Sequence, residues 1–299
     1  MNKTVIILAG PTAVGKTEIS IKLARHFNTA IISADSRQCF KELNIGVAKP
    51  SDQELKLVPH YFINSHAITE TVTAVDFEKY ALNVVIELFT KSDVVVMAGG
   101  TGLYLQAFCN GLDEIPEVAE NIRSEVLFNY QQHGINWLQQ QIQLRDPAFY
   151  ASGEMLNPQR LMRALEVIES TGKSITHFRK GVKKKRDFNI IKLFINLPLE
   201  ELYSRINNRV DQMMANGLLE EVKALLPYRN LNALQTVGYT ELFNFIDGNI
   251  TLEEAIERIK INTRHYAKRQ NTWFRKDPDF IHCNSNYEDV LSVINKNTP

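Results

Sequence analysis

Three cysteines in 299 residues, at positions 39, 109 and 283, are too few and too scattered for a disulfide framework or a zinc spacing. That scarcity points to a reducing compartment, the cytoplasm. No run approaches the roughly 18 unbroken apolar residues of a membrane span, so no membrane partner is expected. The apolar part of the N-terminus, TVIILAG, is too short for a secretory signal. Net charge is also missing, since 34 basic residues balance 34 acidic ones. There is no internal repeat, and no low-complexity tract beyond KKK at 183–185. What is present is 44% apolar and 23% charged residues, the composition of a soluble globular protein. The length allows one large domain or two moderate ones, each with a core.

The balanced charge hides segregation. Between Gln159 and Arg186 there are nine Lys or Arg against Glu166 and Glu169, a local balance of +7. From Arg258 to Lys276 there are eight basic residues, counting His265, and no acidic one. Such clusters can offer a positive track to a phosphate backbone on a neutral protein. Taken alone, each reads as a solvated helical face, with a loop at GVKKKRD.

TVIILAG, AIISAD and DVVVMAGG are apolar throughout, as strands covered on both faces are, and helical stretches such as VDFEKYALNVVIELFTK lie between them. This alternation predicts an α/β doubly wound parallel sheet with functional residues at the carboxyl ends of its strands. NIIKLFINL reads as a later strand, followed by one helix over LEELYSRINNRVDQMMANGLLEEVKALL. From 116 to 185 the pattern is wholly helical, an inserted all-helical subdomain within a core of 1–115 and 186–299. The C-terminal region also reads as helical.

GPTAVGKT, positions 10 to 17, sits between TVIILA and a helix whose Ile19, Leu23, Ala24 and Phe27 share one face. Gly10 and Gly15 fit a P-loop whose backbone N–H groups, through Pro11, Thr12, Ala13 and Val14, turn inward around a phosphate. Lys16 adds a cation at the same oxygens, and Thr17 offers a hydroxyl to Mg²⁺. A nucleotide hydrolase of this class places an acid at the end of a buried strand. DVVVMAGGTG instead ends in glycines and Thr101, and no NKxD-like guanine-reading segment occurs. The acid follows the second strand, as Asp35 in SADSRQ. A carboxylate there suits a transferase that takes a proton from an incoming nucleophile, and a helix N-cap is the alternative role. A small-molecule kinase, or an RNA-binding module that senses a nucleotide, would share this core.

GPTAVGKT, SADSRQ, IGVAKP, AGGTGLY, NPQRLMRALEV, TVGYTEL and TRHYAKRQNTWFR occur here in the order found in the tRNA dimethylallyltransferases, and the chain resembles that family over nearly its whole length. The resemblance implies transfer of a dimethylallyl group from dimethylallyl diphosphate to N6 of the adenosine adjacent to the anticodon, releasing pyrophosphate. It implies Asp35 as the base, Thr101 beside it, and Lys16, Arg209 and Mg²⁺ on the diphosphate, with Arg205 as the alternative arginine. It also implies tRNA contacts at Asp35, Ser36, Arg37, Gln38, Thr101, Arg123, Gln159, Arg160, Leu161, Met162 and Arg163, with support from Arg264, Lys268 and Arg269. The partners so implied are a tRNA anticodon arm and dimethylallyl diphosphate, on a monomer. Cys39, Phe40 and Val47 depart from the common family wording, and hydroxyls are lost at Phe40 and Val47. No appended zinc finger is present, as in the bacterial form.

Overall fold

A computed structural model describes residues 3 to 297. The chain divides into two compact units, Met1–Cys109 with Lys185–Pro299, and Asn110–Lys184.

In the first unit, β1 (Thr4–Ala9) leads through the glycine loop into α1 (Lys16–His26), followed by β2 (Ile31–Ala34), α2 (Asp52–Leu57), β3 (His60–Tyr61), α3 (Ala74–Leu88), β4 (Val94–Gly99) and α4 (Gly102–Asn110). In the second unit the chain forms α5 (Glu120–Arg145), α6 (Pro147–Tyr150), α7 (Pro158–Thr171) and α8 (Ile175–Phe178). It then returns to the first with β5 (Asn189–Asn196), α9 (Leu199–Ala215), α10 (Leu218–Ala224), α11 (Tyr239–Ile246), α12 (Leu252–Arg275), β6 (Ile281–Asn284) and α13 (Tyr287–Asn297).

The six strands form one sheet, in the order β3-β2-β4-β1-β5-β6, with every pairing parallel. The chain is α/β, as its apolar runs require. Ile6 and Leu8 of β1 and Val94 and Val96 of β4 pack with Ile19 and Leu23 of α1, Leu202 and Ile206 of α9, and Val290 and Ile294 of α13. Their neighbours Val5, Ile7, Val95 and Met97 point to the opposite face and are equally buried. Side chains buried on both faces are why these strands read as unbroken apolar runs.

Two expectations change, and one short strand has no counterpart in the sequence reading. LEELYSRINNRVDQMMANGLLEEVKALL forms two helices, because Gly217 adopts φ +96° and ends the first of them. The C-terminal region contains β6, whose four residues IHCN carry no long apolar signal. β3 consists of only His60 and Tyr61.

The helical unit has a core of its own, including Val126, Leu138, Ile142, Phe149, Leu161 and Leu165. α7 begins with Asn157 accepting from the Arg160 amide at 3.2 Å and ends on Gly172 at φ +68°. No helix among the described residues is long and apolar enough to cross a membrane.

Candidate active site

The carboxyl ends of β1, β2 and β4 open into a cavity of about 770 Å³. β1 delivers the loop at 10–17, β2 delivers Asp35, and β4 delivers Gly99 and Gly100.

The loop is tightly held. A side chain at Gly10 would place Cβ 2.8 Å from the Ile195 carbonyl oxygen, so the loop needs glycine to leave β1 beside β5. Gly15 at φ +97° and Ala13 at φ +64° turn the backbone through the left-handed region. Lys16 donates from Nζ to the carbonyls of Gly10 at 2.9 Å and Pro11 at 2.7 Å, inside the loop that its own residue closes. Burial, with Arg209 adding repulsion, lowers its pKa to about 7, and Asp35 opposes that shift. Thr17 stands half-buried on the cavity wall.

Arg209 projects from α9 into the cavity and donates to Thr12 Oγ1 at 3.3 Å. Burial lowers its pKa, a cost that an anion in the cavity would offset. Arg205 is exposed and engaged by Glu201 at 2.8 Å, and it does not line the cavity.

Asp35 uses one oxygen for structure. Its Oδ1 accepts from the amides of Arg37 at 2.9 Å and Gln38 at 3.3 Å, closing a turn and not capping a helix. Its Oδ2 takes no hydrogen bond among the described residues, and Asp35 lines the cavity. Thr101 accepts from the Ser36 amide at 3.1 Å, and its own amide donates to the Ala34 carbonyl at 3.2 Å. A Cβ on Gly99 would lie 2.2 Å from that carbonyl oxygen, so glycine lets the ends of β2 and β4 meet. Arg37 lines the cavity, and burial lowers its pKa. Gln38 receives Ser33 Oγ at 3.2 Å and donates to the carbonyls of Val47 at 3.3 Å and Ala48 at 3.1 Å.

Gln270 of α12, within TRHYAKRQNTWFR, is a site residue the sequence did not single out. Its Oε1 accepts from the Thr12 amide and its Nε2 donates to the Gly100 carbonyl, each at 2.9 Å, joining the loop to the end of β4.

The other expected contact residues are placed unequally. Gln159 and Arg160 are exposed on α7, with Arg160 paired to Glu154 at 2.5 Å. Arg163 meets Glu166 at 3.4 Å, and Arg123 of α5 is half-buried in the same unit. Leu161 and Met162 are 0% and 6% exposed, and their side chains pack in the core of the helical unit. Their apolar character explains this placement. Arg264 bonds Asn207 Oδ1 at 3.0 Å and lies 5.8 Å over the Tyr203 ring, a strut between α12 and α9. Lys268 and Arg269 are exposed, and Arg269 lines the cavity. Of the three departures, Cys39 and Phe40 are buried away from the cavity, and burial pushes the Cys39 thiol up to about 12. Val47 lines the cavity.

The model of one family, described as IPP transferase, matches residues 38–277. This chain belongs to the IPP transferase family. Curated relatives include the tRNA dimethylallyltransferase of Christiangramia forsetii, 49% identical over 296 residues and covering 98% of each chain. Another, tRNA dimethylallyltransferase 1 of Bacteroides thetaiotaomicron, is 47% identical over 92% of this chain and 90% of its own. Among solved structures, the tRNA isopentenylpyrophosphate transferase of Bacillus halodurans is 34% identical, with a TM-score of 0.71 over 98% of this chain and 95% of its own. A eukaryotic dimethylallyltransferase acting on tRNA is 28% identical, with a TM-score of 0.74 over 99% of this chain and 76% of its own. The IPP transferase match begins at Gln38, so the phosphate loop and Asp35 precede it.

Proposed function

We propose that this chain transfers the dimethylallyl group of dimethylallyl diphosphate to N6 of the adenosine adjacent to the anticodon of tRNA, releasing pyrophosphate. The observation that carries the reading is the shared cavity. A phosphate loop with Lys16 and Arg209 and an Asp35 carboxylate with one oxygen unpartnered among the described residues line the same space. A donor diphosphate and an acceptor amine can therefore be held together, as a group transfer requires.

The loop amides, Lys16 and Arg209 hold the diphosphate. As the allylic C–O bond breaks, negative charge gathers on the departing pyrophosphate, and these fixed cations and dipoles stabilise it. The new bond forms between N6 and the allylic carbon. Asp35 Oδ2 accepts the proton that N6 must shed, while Oδ1 stays fixed in its turn. Thr101 holds Ser36 and the Asp35 turn against β4.

Mg²⁺ fits the residues present, since the Thr17 hydroxyl is a hard oxygen donor on the cavity wall and Mg²⁺ is commonly held by few protein ligands plus substrate phosphates. Among the described residues no cluster of three His, Cys, Asp or Glu forms a cage without them. Bound there, the ion would neutralise charge on the diphosphate.

The acceptor adenine must leave its stack to reach Asp35. Arg123, Gln159, Arg160 and Arg163 of the helical unit, and Lys268 and Arg269 of α12, would meet the anticodon arm. Arg160 is engaged by Glu154 in an exposed ion pair, worth about 0–1 kcal/mol, so its exchange for phosphate costs little, whereas the Arg163–Glu166 pair is part-buried. All the named groups lie on one chain, which we take to act as a monomer in the cytoplasm.

The test is incubation with labelled dimethylallyl diphosphate and tRNA without ATP, followed by nuclease digestion. Labelled N6-prenyl adenosine is expected. Phosphoryl transfer from ATP to a small acceptor, with dimethylallyl diphosphate inert, would sink the reading.

A further inference from the structure

The wall of the cavity formed by residues 46–48 has no helix or strand of its own. It is instead gripped from a distance of about 175 residues in sequence. The Glu221 carboxylate of α10 accepts from three consecutive backbone amides: Asn44 at 3.1 Å and Ile45 at 2.8 Å on Oε2, and Gly46 at 3.0 Å on Oε1. The Tyr239 hydroxyl, in TVGYTEL, adds a fourth donor to Oε1 at 2.6 Å. A Cβ at Gly46 would lie 2.6 Å from the Tyr239 ring, so the loop is pressed against the same latch. Successive inward-turned amides form an anion nest, and here the anion belongs to the protein itself.

The grip is passed on. Just beyond Gly46, the Val47 and Ala48 carbonyls hold the Gln38 amide group, and the backbone N–H of Gln38 is one of the two donors that fix Asp35 Oδ1. Ala48 keeps φ +48°, a conformation that needs outside support in a residue with a side chain.

We infer that Glu221 is a positioning residue that, through loop 44–48 and Gln38, sets where Asp35 Oδ2 points in the cavity. This inference rests on the transferase reading above. It predicts an effect on the chemical step and not on the grip of either substrate. Neither the phosphate loop nor the basic residues of the helical unit are bonded to Glu221.

Glu221→Gln is the test. The variant keeps shape but can accept on one oxygen only, so its NH₂ must confront backbone donors that cannot accept. Turnover of tRNA is expected to fall about 10- to 100-fold, the cost of a small misplacement of a reacting group. Pyrophosphate and tRNA affinities should stay within about 3-fold, as for sites that do not couple. Hydrogen exchange at 44–46 should quicken. Tyr239→Phe, which keeps all three backbone bonds, should lose about 3-fold or less. Adding Glu221→Gln to Asp35→Asn should cost little beyond Asp35→Asn alone, because both losses pass through one carboxylate.

Unchanged turnover in Glu221→Gln would overturn the inference. So would equal losses of turnover, both affinities and melting temperature, which would mark a merely structural glutamate. Full additivity with Asp35→Asn would show that the latch does not act through Asp35. If wild-type protein modifies no tRNA, the transferase reading fails. Exchange at 44–46 still tests the latch itself, and unaltered protection in Glu221→Gln refutes it.

Discussion

Asp35→Asn separates the two jobs that this side chain performs. Its Oδ1 holds the amides of Arg37 and Gln38, and an asparagine carbonyl oxygen can accept both bonds. Its Oδ2, which has no partner among the described residues, becomes an NH₂ that cannot take a proton from N6. The fold should therefore survive while the base is lost. A positioned general base typically contributes about 10²- to 10⁴-fold, or roughly 3–5 kcal/mol of barrier. Asp35→Ala removes both jobs, and the lost turn acceptor costs about 0.5–2 kcal/mol, as for a helix cap. Steady-state kinetics with thermal melts on both variants is the assay. The expected pattern is a similar large fall in kcat for both, with a melting temperature lowered by a few degrees in the alanine variant only. Near-normal turnover in Asp35→Asn would refute the reasoning and reduce Asp35 to a turn residue.

Lys16→Ala should lower turnover about 10²- to 10³-fold with tRNA affinity intact, because Lys16 lies in the phosphate loop. Equal loss of tRNA binding in a filter assay would contradict that. In the free protein the Lys16 ammonium is present below about pH 7 and lost above it. The kcat/KM for dimethylallyl diphosphate should therefore fall as pH rises through about 7, while kcat holds to higher pH because the bound diphosphate retains the proton. A flat kcat/KM between about pH 6 and 9 would count against this. Gln270→Leu strands the Thr12 amide and the Gly100 carbonyl, a cost of about 1–3 kcal/mol each. A raised KM for dimethylallyl diphosphate and a lower melting temperature are expected, and no change in either would mean the bridge is idle.

The parts of the fold legible in the sequence are those whose signal is local. β1, β2, β4 and β5 are buried on both faces and so appear as apolar runs, and the phosphate loop follows from glycine spacing. β3 and β6, of two and four residues at the edges of the sheet, leave no such run. Asp35 stood out because an acid follows a buried strand, yet its division between a turn and an unpartnered oxygen depends on a backbone that only the fold supplies. Gln270 and Glu221 are single polar residues whose backbone partners lie 170 or more positions away, so no window of sequence contains those interactions. Leu161 and Met162 show the converse. They sit inside a basic motif, but helical periodicity turns them into the core while Arg160 stays exposed.

The transfer itself is tested most directly by mass spectrometry of the tRNA anticodon-loop fragment after reaction with dimethylallyl diphosphate and Mg²⁺, with no ATP present. One dimethylallyl group gained at the adenosine adjacent to the anticodon, matched by one pyrophosphate released, is the expected result. Pyrophosphate release without any mass gain on the RNA, or a gain that requires ATP, would contradict it.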